Sequence, residues 1–402
     1  MTEPGRGEGV TRLAYTPLER EAHAIFSARM AELGLRTWTD AAGNTYAERP
    51  GADPGLPAIG TGSHLDSVPN AGRFDGIAGV AAALETARLF TEHEVAHRHP
   101  ARFVVFAAEE GARFGQACTG SRIVAGLTGP DDLPGKRDAA GVTLAEAMSA
   151  VGLDPAEVAS ARWERDDWAA FVELHIEQGG VLEAQRRRVG VVDTVSGSRR
   201  LRLDLTGIAS HSGGTPMHLR ADAVAAAAEV VLAVESVANR TRELGTRATV
   251  GKLDVSPGSI TTIAGTASLW VDVRELDDGR QRRAAEEIVE RAEAICARRG
   301  VGLRVHPLAE TPPVPLSDAV RSVLLDTCRE LGLEPTVLPS GAGHDAQQVN
   351  SVTPTGMIFV PSRDGISHDP AEWTDTEDLA LGTTVLAAGL LRLDSALDPA
   401  PR

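Results

Sequence analysis

The sequence predicts an α/β protein: a layered domain built on a mixed sheet, interrupted by a second domain of β-α-β-β-α-β order. Two observations carry this. Short apolar runs alternate with helical patterns toward both ends of the chain, as in layered α/β folds. Between residues 198 and 309 the runs switch to period-two alternation, the pattern of strands with one covered face. The length of 402 residues also exceeds what one typical core fills, so two domains are expected.

Leu18 to Leu35 reads as an amphipathic helix. "LPAIGTGS" (56–63) and "RFVVFAA" (102–108) are apolar runs that suit a buried parallel sheet, and the small-residue stretch Gly76 to Phe90 reads as a helix between them. "AAFVELHIE" (169–177) and "TGMIFVPS" (355–362) are further strands, and Asp375 to Leu393 is a closing helix. Residues 128–165, rich in Pro, Asp and Gly, read as a loop with a short helix. In the central stretch, "RLRLDLTG", "RATVGKLDV", "TASLWVDVRE" and "GLRVHPL" are strands, with helices over Leu219 to Leu244 and Asp278 to Arg298. That order is the split ferredoxin-like unit. Residues 1–197 and 310–402 are therefore expected to form one discontinuous domain, with 198–309 inserted into it.

The formal net charge of −16 argues against a nucleic-acid or anionic-membrane partner. The three cysteines, Cys118, Cys296 and Cys328, form no CxxC pair, which fits a reducing cytoplasm better than a disulfide framework. "MTEPGRGEGVTRLAYTP" lacks the apolar core of a secretory signal, and no run of about 18 apolar residues is present. The expectation is a cytoplasmic protein that does not span a membrane.

The eleven histidines can be sorted. His93, His97 and His99 lie in "TEHEVAHRHP", where a solvated helix end is the simpler reading, and His23 and His306 read as structural. His64, His175, His211, His344 and His368 differ. Each sits in a small-residue setting at a strand end or in a loop: "GSHLD", "ELHIEQGG", "ASHSGG", "GAGHDA" and "GISHDP". Strand ends of an α/β sheet are where such folds place ligand sites. One such histidine is more often part of a capped turn; five accompanied by acids are not so easily dismissed.

Glu109 and Glu110 follow the strand "RFVVFAA". Adjacent carboxylates repel unless something positive lies near, although "EEG" alone would read as a solvated turn. His64, Asp75, Glu110, His175 and His368 could supply nitrogen and oxygen ligands to two divalent ions. Such donors suit zinc, and also manganese, cobalt or nickel. Glu109, left free beside a ligand, is then the candidate general base.

"GSHLDSVPNAGRFDG", "EEGARFGQACTGSR", "ELHIEQG", "SGAGHDAQ" and "VPSRDGISHDPAEWT" together resemble the di-metal amidohydrolases of the hydantoinase/carbamoylase family. That family includes N-carbamoyl-L-amino acid hydrolases, β-ureidopropionases and allantoate amidohydrolases, and belongs to the wider superfamily of co-catalytic metallopeptidases and aminoacylases. The resemblance runs over nearly the whole chain, in order. Each motif is of middling specificity; five in sequence are highly specific. Wider relatives usually place an acid where His175 stands, so the histidine points to the carbamoylase branch.

The resemblance implies a catalytic domain and a ferredoxin-like lid and dimerisation domain at 198–309, through which the protein would form a homodimer. It implies that His64 and His175 bind one metal, that Glu110 and His368 bind the second, and that Asp75 bridges both. Asp66 resembles the acid that orients a ligating histidine. Arg274 in "WVDVRE" resembles an arginine that grips a substrate carboxylate with two hydrogen bonds; otherwise it would read as a strand arginine in a surface pair. His211 resembles a histidine that reaches the site from the inserted domain, in relatives often that of the partner subunit. His344 resembles a substrate or oxyanion contact, Gln178 an amide that holds the ureido end, and Gly341 and Gly343 resemble backbone N–H donors.

The implied reaction is metal-dependent hydrolysis of a linear amide or ureido bond in a small N-substituted substrate. Foremost is removal of the N-carbamoyl group from an N-carbamoyl-L-amino acid. The alternatives are an allantoate amidohydrolase, an aminoacylase or a dipeptidase of the same fold. A non-catalytic scaffold is disfavoured, because the ligand-type residues and Glu109 are all present. There are two departures, the milder being "HSGGTPM" where relatives often show "HAGTTPM". Relatives commonly read "PNxxNVIPG" before the arginine strand, and this chain reads "PGSITTIAG", with Thr261 where a substrate-contacting asparagine stands. That leaves the identity of the substrate open.

Overall fold

The structure, a computed structural model, describes residues 9–397. Residues 1–8, which begin the stretch read as lacking a secretory signal, lie outside the described residues. Two compact units are drawn from Met1–Asp193 with Pro315–Arg402, and from Thr194–Val314.

The first unit begins with α1 (Pro17–Glu32), β1 (Arg36–Thr39), β2 (Thr45–Arg49), β3 (Ala58–His64), α2 (Ile77–Glu92) and β4 (Ala101–Phe106). It continues through α3 (Thr119–Val124), α4 (Leu144–Ala150), β5 (Trp168–Ile176), α5 (Val181–Ala184) and β6 (Gly190–Val195). The second unit holds β7 (Gly197–Thr206), β8 (Ser210–His211), α6 (Ala223–Arg240), β9 (Arg247–Ser256), β10 (Thr262–Ile263), β11 (Thr266–Glu275), α7 (Asp278–Arg298) and β12 (Gly302–Thr311). The chain returns through β13 (Val314–Pro315), α8 (Asp318–Glu330), β14 (Thr336–Ser340), α9 (Asp345–Val349), β15 (Thr355–Val360) and α10 (Thr376–Ala396).

The first unit is built on a nine-stranded mixed sheet in the order β1-β2-β4-β3-β5-β15-β6-β13, with β14 paired to β6. Its centre, β4-β3-β5-β15, is parallel, and β2 and β6 flank it antiparallel. The central strands read as continuous apolar runs because both faces are covered. In β5, Ala170, Val172, Leu174 and Ile176 join a core with Phe26 and Met30 of α1, Phe90 of α2, Leu324 of α8 and Leu390 of α10. Phe171, on the other face, joins Phe106, Trp163 and Trp168. The rings of Trp163 and Trp168 stack there at 3.9 Å.

The composition of α2 follows from how closely it lies on the sheet. A Cβ on Gly79 would stand 2.3 Å from the Leu174 carbonyl oxygen and 2.7 Å from Ser63 Cβ. Only a helix of small residues can approach β3 and β5 so closely.

Some expectations are revised. His97 and His99 are buried, not solvated, and only His93 of the three is exposed. Each buried ring spends Nδ1–H on a carbonyl, His97 on that of His99 at 2.6 Å and His99 on that of Pro57 at 2.7 Å. Residues 128–165 are more than a loop: Leu133, Leu144, Met148, Val158 and Trp163 are part of the second core cluster. The helix expected over Leu219 to Leu244 is shorter. Asp222 caps it by accepting the N–H groups of Val224 and Ala225, and single 3-10 turns flank it. By length and hydropathy α10 could cross a membrane, although no unbroken apolar run marks it in the sequence; about half of its apolar stretch is buried in the protein. Val385, Leu386, Leu390 and Leu393 pack into the first core, which accounts for its apolar character.

The second unit has a four-stranded antiparallel sheet in the order β12-β7-β11-β9. Leu201, Leu203 and Leu205 of β7 and Leu269, Val271 and Val273 of β11 pack on Val230 and Val234 of α6 and Ile288 and Ala292 of α7. The alternate residues of β7 and β11 therefore lie on the other face.

The close seat of α2 generates a prediction. Gly79→Ala forces a methyl group against backbone and should destabilise the protein by about 1–3 kcal/mol, as overpacking does. Urea unfolding of the variant measures this; an unchanged midpoint would show that α2 moves outward freely.

Candidate active site

The site grows from the C-terminal ends of the parallel strands. His64 is the last residue of β3, His175 lies one residue before the end of β5, and Glu109 and Glu110 follow β4. Asp75 precedes α2, and its neighbour Gly76 has φ 67, a left-handed conformation suited to glycine. A Cβ on Gly76 would stand 2.5 Å from the His64 ring. Glycine here lets Asp75 approach the histidines.

Asp75 is the centre of the arrangement. Its Oδ1 lies 3.2 Å from His175 Nε2 and 3.6 Å from His64 Nε2. Its Oδ2 lies 3.0 Å from His368 Nε2, and that nitrogen is 3.3 Å from Glu110 Oε2. Three groups of ligand-type atoms, each within 4.8 Å, occur among the described residues: two around Asp75, namely His64 with Asp75 and His175 and Asp75 with Glu110 and His368, and a third formed by Glu173, His175 and His344. Asp75 belongs to the first two.

The tautomers point the same way. His175 Nδ1 faces the Ile176 carbonyl at 2.9 Å and His64 Nδ1 faces the Asp66 carbonyl at 3.2 Å. A carbonyl only accepts, so Nδ1 carries the proton in each ring. Each Nε2 is then turned toward a carboxylate; in the neutral ring it is a lone pair, so the arrangement calls for a positive charge there, supplied by a metal ion or, without one, by a second ring proton. Glu110 Oε1 is also shielded from solvent and accepts no hydrogen bond. Nitrogen and oxygen donors so placed fit divalent ions.

The protonation equilibria register the same crowding. Burial favours neutral His64, yet the carboxylates of Glu109, Asp66 and Asp75 outweigh it and hold the imidazole pKa well above its usual range. Burial would raise Asp75, but hydrogen bonds from His175, His368 and His64 hold it well below the carboxylate range. Hydrogen bonds to Asp75 and Glu110 raise His368 to about 10. Glu109 is pushed well above its usual range by burial, helped by the charges of Asp345, Glu110 and Asp66 and opposed by His64.

Glu109 lies beside His64 of the first group and belongs to none of the groups. Its Oε2 is 3.8 Å from His64 Nε2, and its Oε1 accepts the Cys118 thiol at 3.1 Å. The turn that carries the two glutamates is clamped by Asp66, whose Oδ1 accepts the Glu109 N–H at 2.8 Å and Oδ2 the Glu110 N–H at 3.1 Å. Asp66 Oδ1 is also 3.5 Å from His64 Nδ1. From behind, Glu19 of α1 accepts the Ala108 N–H at 3.0 Å. Gln178 donates to Asp75 Oδ2 at 2.8 Å, and its own Oε1 is buried without a hydrogen bond. The His344 ring stands edge-on to His175 at 4.6 Å and lies 2.8 Å from Ser340 Oγ. Gly341 and Gly343 lie in the loop from β14 to His344.

The first unit thus gathers His64, Asp66, Asp75, Glu109, Glu110, His175, Gln178, His344 and His368. Gly341 and Gly343 belong to the same unit, and the remaining three residues singled out in the sequence belong to the second. His211 is exposed on β8, pairs with Thr262 of β10, and accepts the Gly213 and Gly214 N–H groups, each at 3.1 Å. Thr261 is exposed, and its carbonyl accepts the Ser212 N–H at 2.9 Å. Arg274, half-buried on β11, donates from Nε to Asp272.

Several residues escaped the sequence reading. Glu372 accepts the Phe74 N–H at 2.8 Å and the Asp75 N–H at 3.1 Å, and takes the Ser367 hydroxyl at 2.8 Å, so it fixes the backbone of the central aspartate. Fully buried Glu173 accepts Ser63 Oγ and the Ala346 N–H, both at 2.8 Å. A signal for Glu173 exists: it stands two residues before His175, and period two puts both on one face of β5.

The family model for peptidase family M20/M25/M40 matches residues 60–392. An N-carbamoyl-L-amino acid amidohydrolase of Geobacillus stearothermophilus is 43% identical over 378 residues, covering 94% of this chain and 92% of its own. An allantoate amidohydrolase of Escherichia coli (strain K12) is 35% identical over 387 residues, covering 96% of this chain and 93% of its own. The crystal structure of an amidase of the hydantoinase/carbamoylase family from Burkholderia multivorans superposes with a TM-score of 0.87 at 33% identity, over 96% of this chain and 92% of that one. With a donor cluster at the strand ends and these likenesses along nearly its full length, the chain belongs to peptidase family M20/M25/M40 and, within it, to the hydantoinase/carbamoylase amidohydrolases.

Proposed function

We propose that this protein is a metal-dependent amidohydrolase that removes the N-carbamoyl group from an N-carbamoyl-L-amino acid. The observation that carries the reading is Asp75, one carboxylate shared by two ligand-type groups, with Glu109 buried beside His64. The likeness to the Geobacillus enzyme supports the substrate class. Two divalent ions, among zinc, manganese, cobalt and nickel, would be held by His64 and His175 and by Glu110 and His368, with Asp75 serving both. Such ions, when bound, polarise a carbonyl and acidify water.

In this reading Glu109 takes the proton of the attacking water and returns it to the leaving nitrogen. Asp66 keeps the Glu109–Glu110 turn in place. His344 contacts the developing oxyanion, as do backbone N–H groups at Gly341 and Gly343. Gln178 holds the ureido end and Arg274 grips the substrate carboxylate. His211 comes from the inserted unit, 198–309, proposed as a ferredoxin-like lid through which two subunits pair. Water splits the carbamoyl group to leave amine, ammonia and carbon dioxide. Thr261, where relatives carry asparagine, would shape the choice of amino acid. The three buried free cysteines support a cytoplasmic setting.

Allantoate is the second reading, favoured by the likeness to the Escherichia coli enzyme. A panel of N-carbamoyl, N-formyl and N-acetyl amino acids and allantoate, assayed with added metal, decides between them. The expected result is fastest turnover, with ammonia release, on an N-carbamoyl-L-amino acid. Turnover of allantoate alone would overturn the first reading in favour of the second.

Two predictions follow from the ligand geometry. Dialysis against chelator should abolish activity and strip metal seen by elemental analysis, and manganese, cobalt, nickel or zinc should restore it; full activity in metal-free protein would refute the assignment. Glu109→Gln should retain metal and lose about 10²–10⁴-fold in kcat, the usual contribution of a general base. Glu110→Gln should instead lower metal content. Equal metal loss in both variants would place Glu109 among the ligands.

A further inference from the structure

The open face of the four-stranded sheet holds a charge arrangement with a use in this reaction. In β11, Leu269, Val271 and Val273 are buried against the helices, so Trp270, Asp272 and Arg274 share the opposite face. Asp272 Oδ2 accepts the Arg274 Nε–H at 3.0 Å. The other oxygen, Oδ1, is shielded from solvent and makes no hydrogen bond. It lies 3.6 Å from Nε of Arg200, the residue opposite Asp272 in the β7–β11 pairing. The side chains of Arg274 and Asp272 are 26% and 32% exposed, so the pair is partly withdrawn from water.

An ion pair between two residues of one strand joins no separate elements, and partly exposed pairs add little to stability. Its physical effect falls on Arg274. A guanidinium is planar, and holding Nε–H sets the plane and hence the directions of its terminal N–H donors. Two-pronged recognition of a carboxylate depends on those directions. An arginine already turned to its task loses less freedom on binding.

We propose that Asp272 is a positioning residue that presets Arg274 for the substrate carboxylate, with Arg200 holding Asp272 from the neighbouring strand. This rests on the reading of Arg274 as the carboxylate-binding residue, and the experiment separates the two claims. Metal-loaded wild type, Arg274→Ala, Asp272→Ala and Asp272→Asn are assayed on an N-carbamoyl-L-amino acid, with its carboxamide analogue measured as substrate or competing inhibitor. Asp272→Ala should raise KM for the acid about tenfold with kcat within about twofold, because binding is weakened and the chemistry is not touched. Asp272→Asn keeps an acceptor for Nε–H and should raise KM by only about threefold. The carboxamide should respond to neither substitution. If Arg274→Ala weakens acid and carboxamide alike, the carboxylate reading fails, and this proposal with it. If Arg274→Ala is selective for the acid while Asp272→Ala leaves KM unchanged, or weakens both compounds equally, the reading stands and the positioning role is overturned.

Discussion

Asp75 places one carboxylate among three imidazoles, and His64 and His175, with Nδ1–H spent on carbonyls, turn Nε2 toward it, a lone pair whenever the ring is neutral. Facing acceptors in a buried place are unfavourable unless a positive charge lies between them. Among the described residues no ion pair brings a lysine or arginine to Asp75, and the geometry fits divalent ions instead. The rest of the first unit can be understood as support for that one electrostatic demand. Glu372 holds the backbone on either side of the Phe74–Asp75 peptide, Gly76 removes a side chain that would strike His64, and Gln178 and Ser367 lie against Asp75 Oδ2.

The sheet supplies the precision that such a site needs. Adjacent parallel strands are locked in register by their hydrogen bonds, so the ends of β3, β4 and β5 place His64, the two glutamates and His175 with little freedom. The second pair of donors is held less rigidly. His368 lies on a loop beyond β15 with its side chain about half exposed, while the other ligand-type groups are buried. Solvent therefore reaches the cluster on the side of Glu110 and His368.

A buried carboxylate can be a ligand or a proton carrier, and its neighbours decide which. Glu110 turns Oε2 toward His368 and keeps Oε1 without a hydrogen bond, whereas Glu109 turns one oxygen to a thiol and the other toward His64. Adjacent in sequence, they project apart because Asp66 ties both backbone N–H groups into one turn.

The order of apolar runs, the change to period two near residue 198 and five histidines in small-residue settings were legible by sequence alone, because each is a local pattern. They sufficed for the mixed α/β architecture and for the set of ligand-type residues. The division of roles between Glu109 and Glu110 was an expectation that the neighbouring histidines suggested and the family motifs supported. What remained hidden depends on contacts between distant residues. Glu372 and Asp75 are 297 positions apart, and no local pattern links them. His97 and His99 looked like a wet helix end, yet the fold brings Pro57 to one ring and buries both. Residues 128–165 looked like a loop because their turns are short, and only packing against Phe106 and Phe171 shows that Trp163 and its neighbours complete a core. Local sequence sets which backbone shapes are cheap; which side chains meet, and so which charges must be balanced, is decided only when the tertiary structure closes.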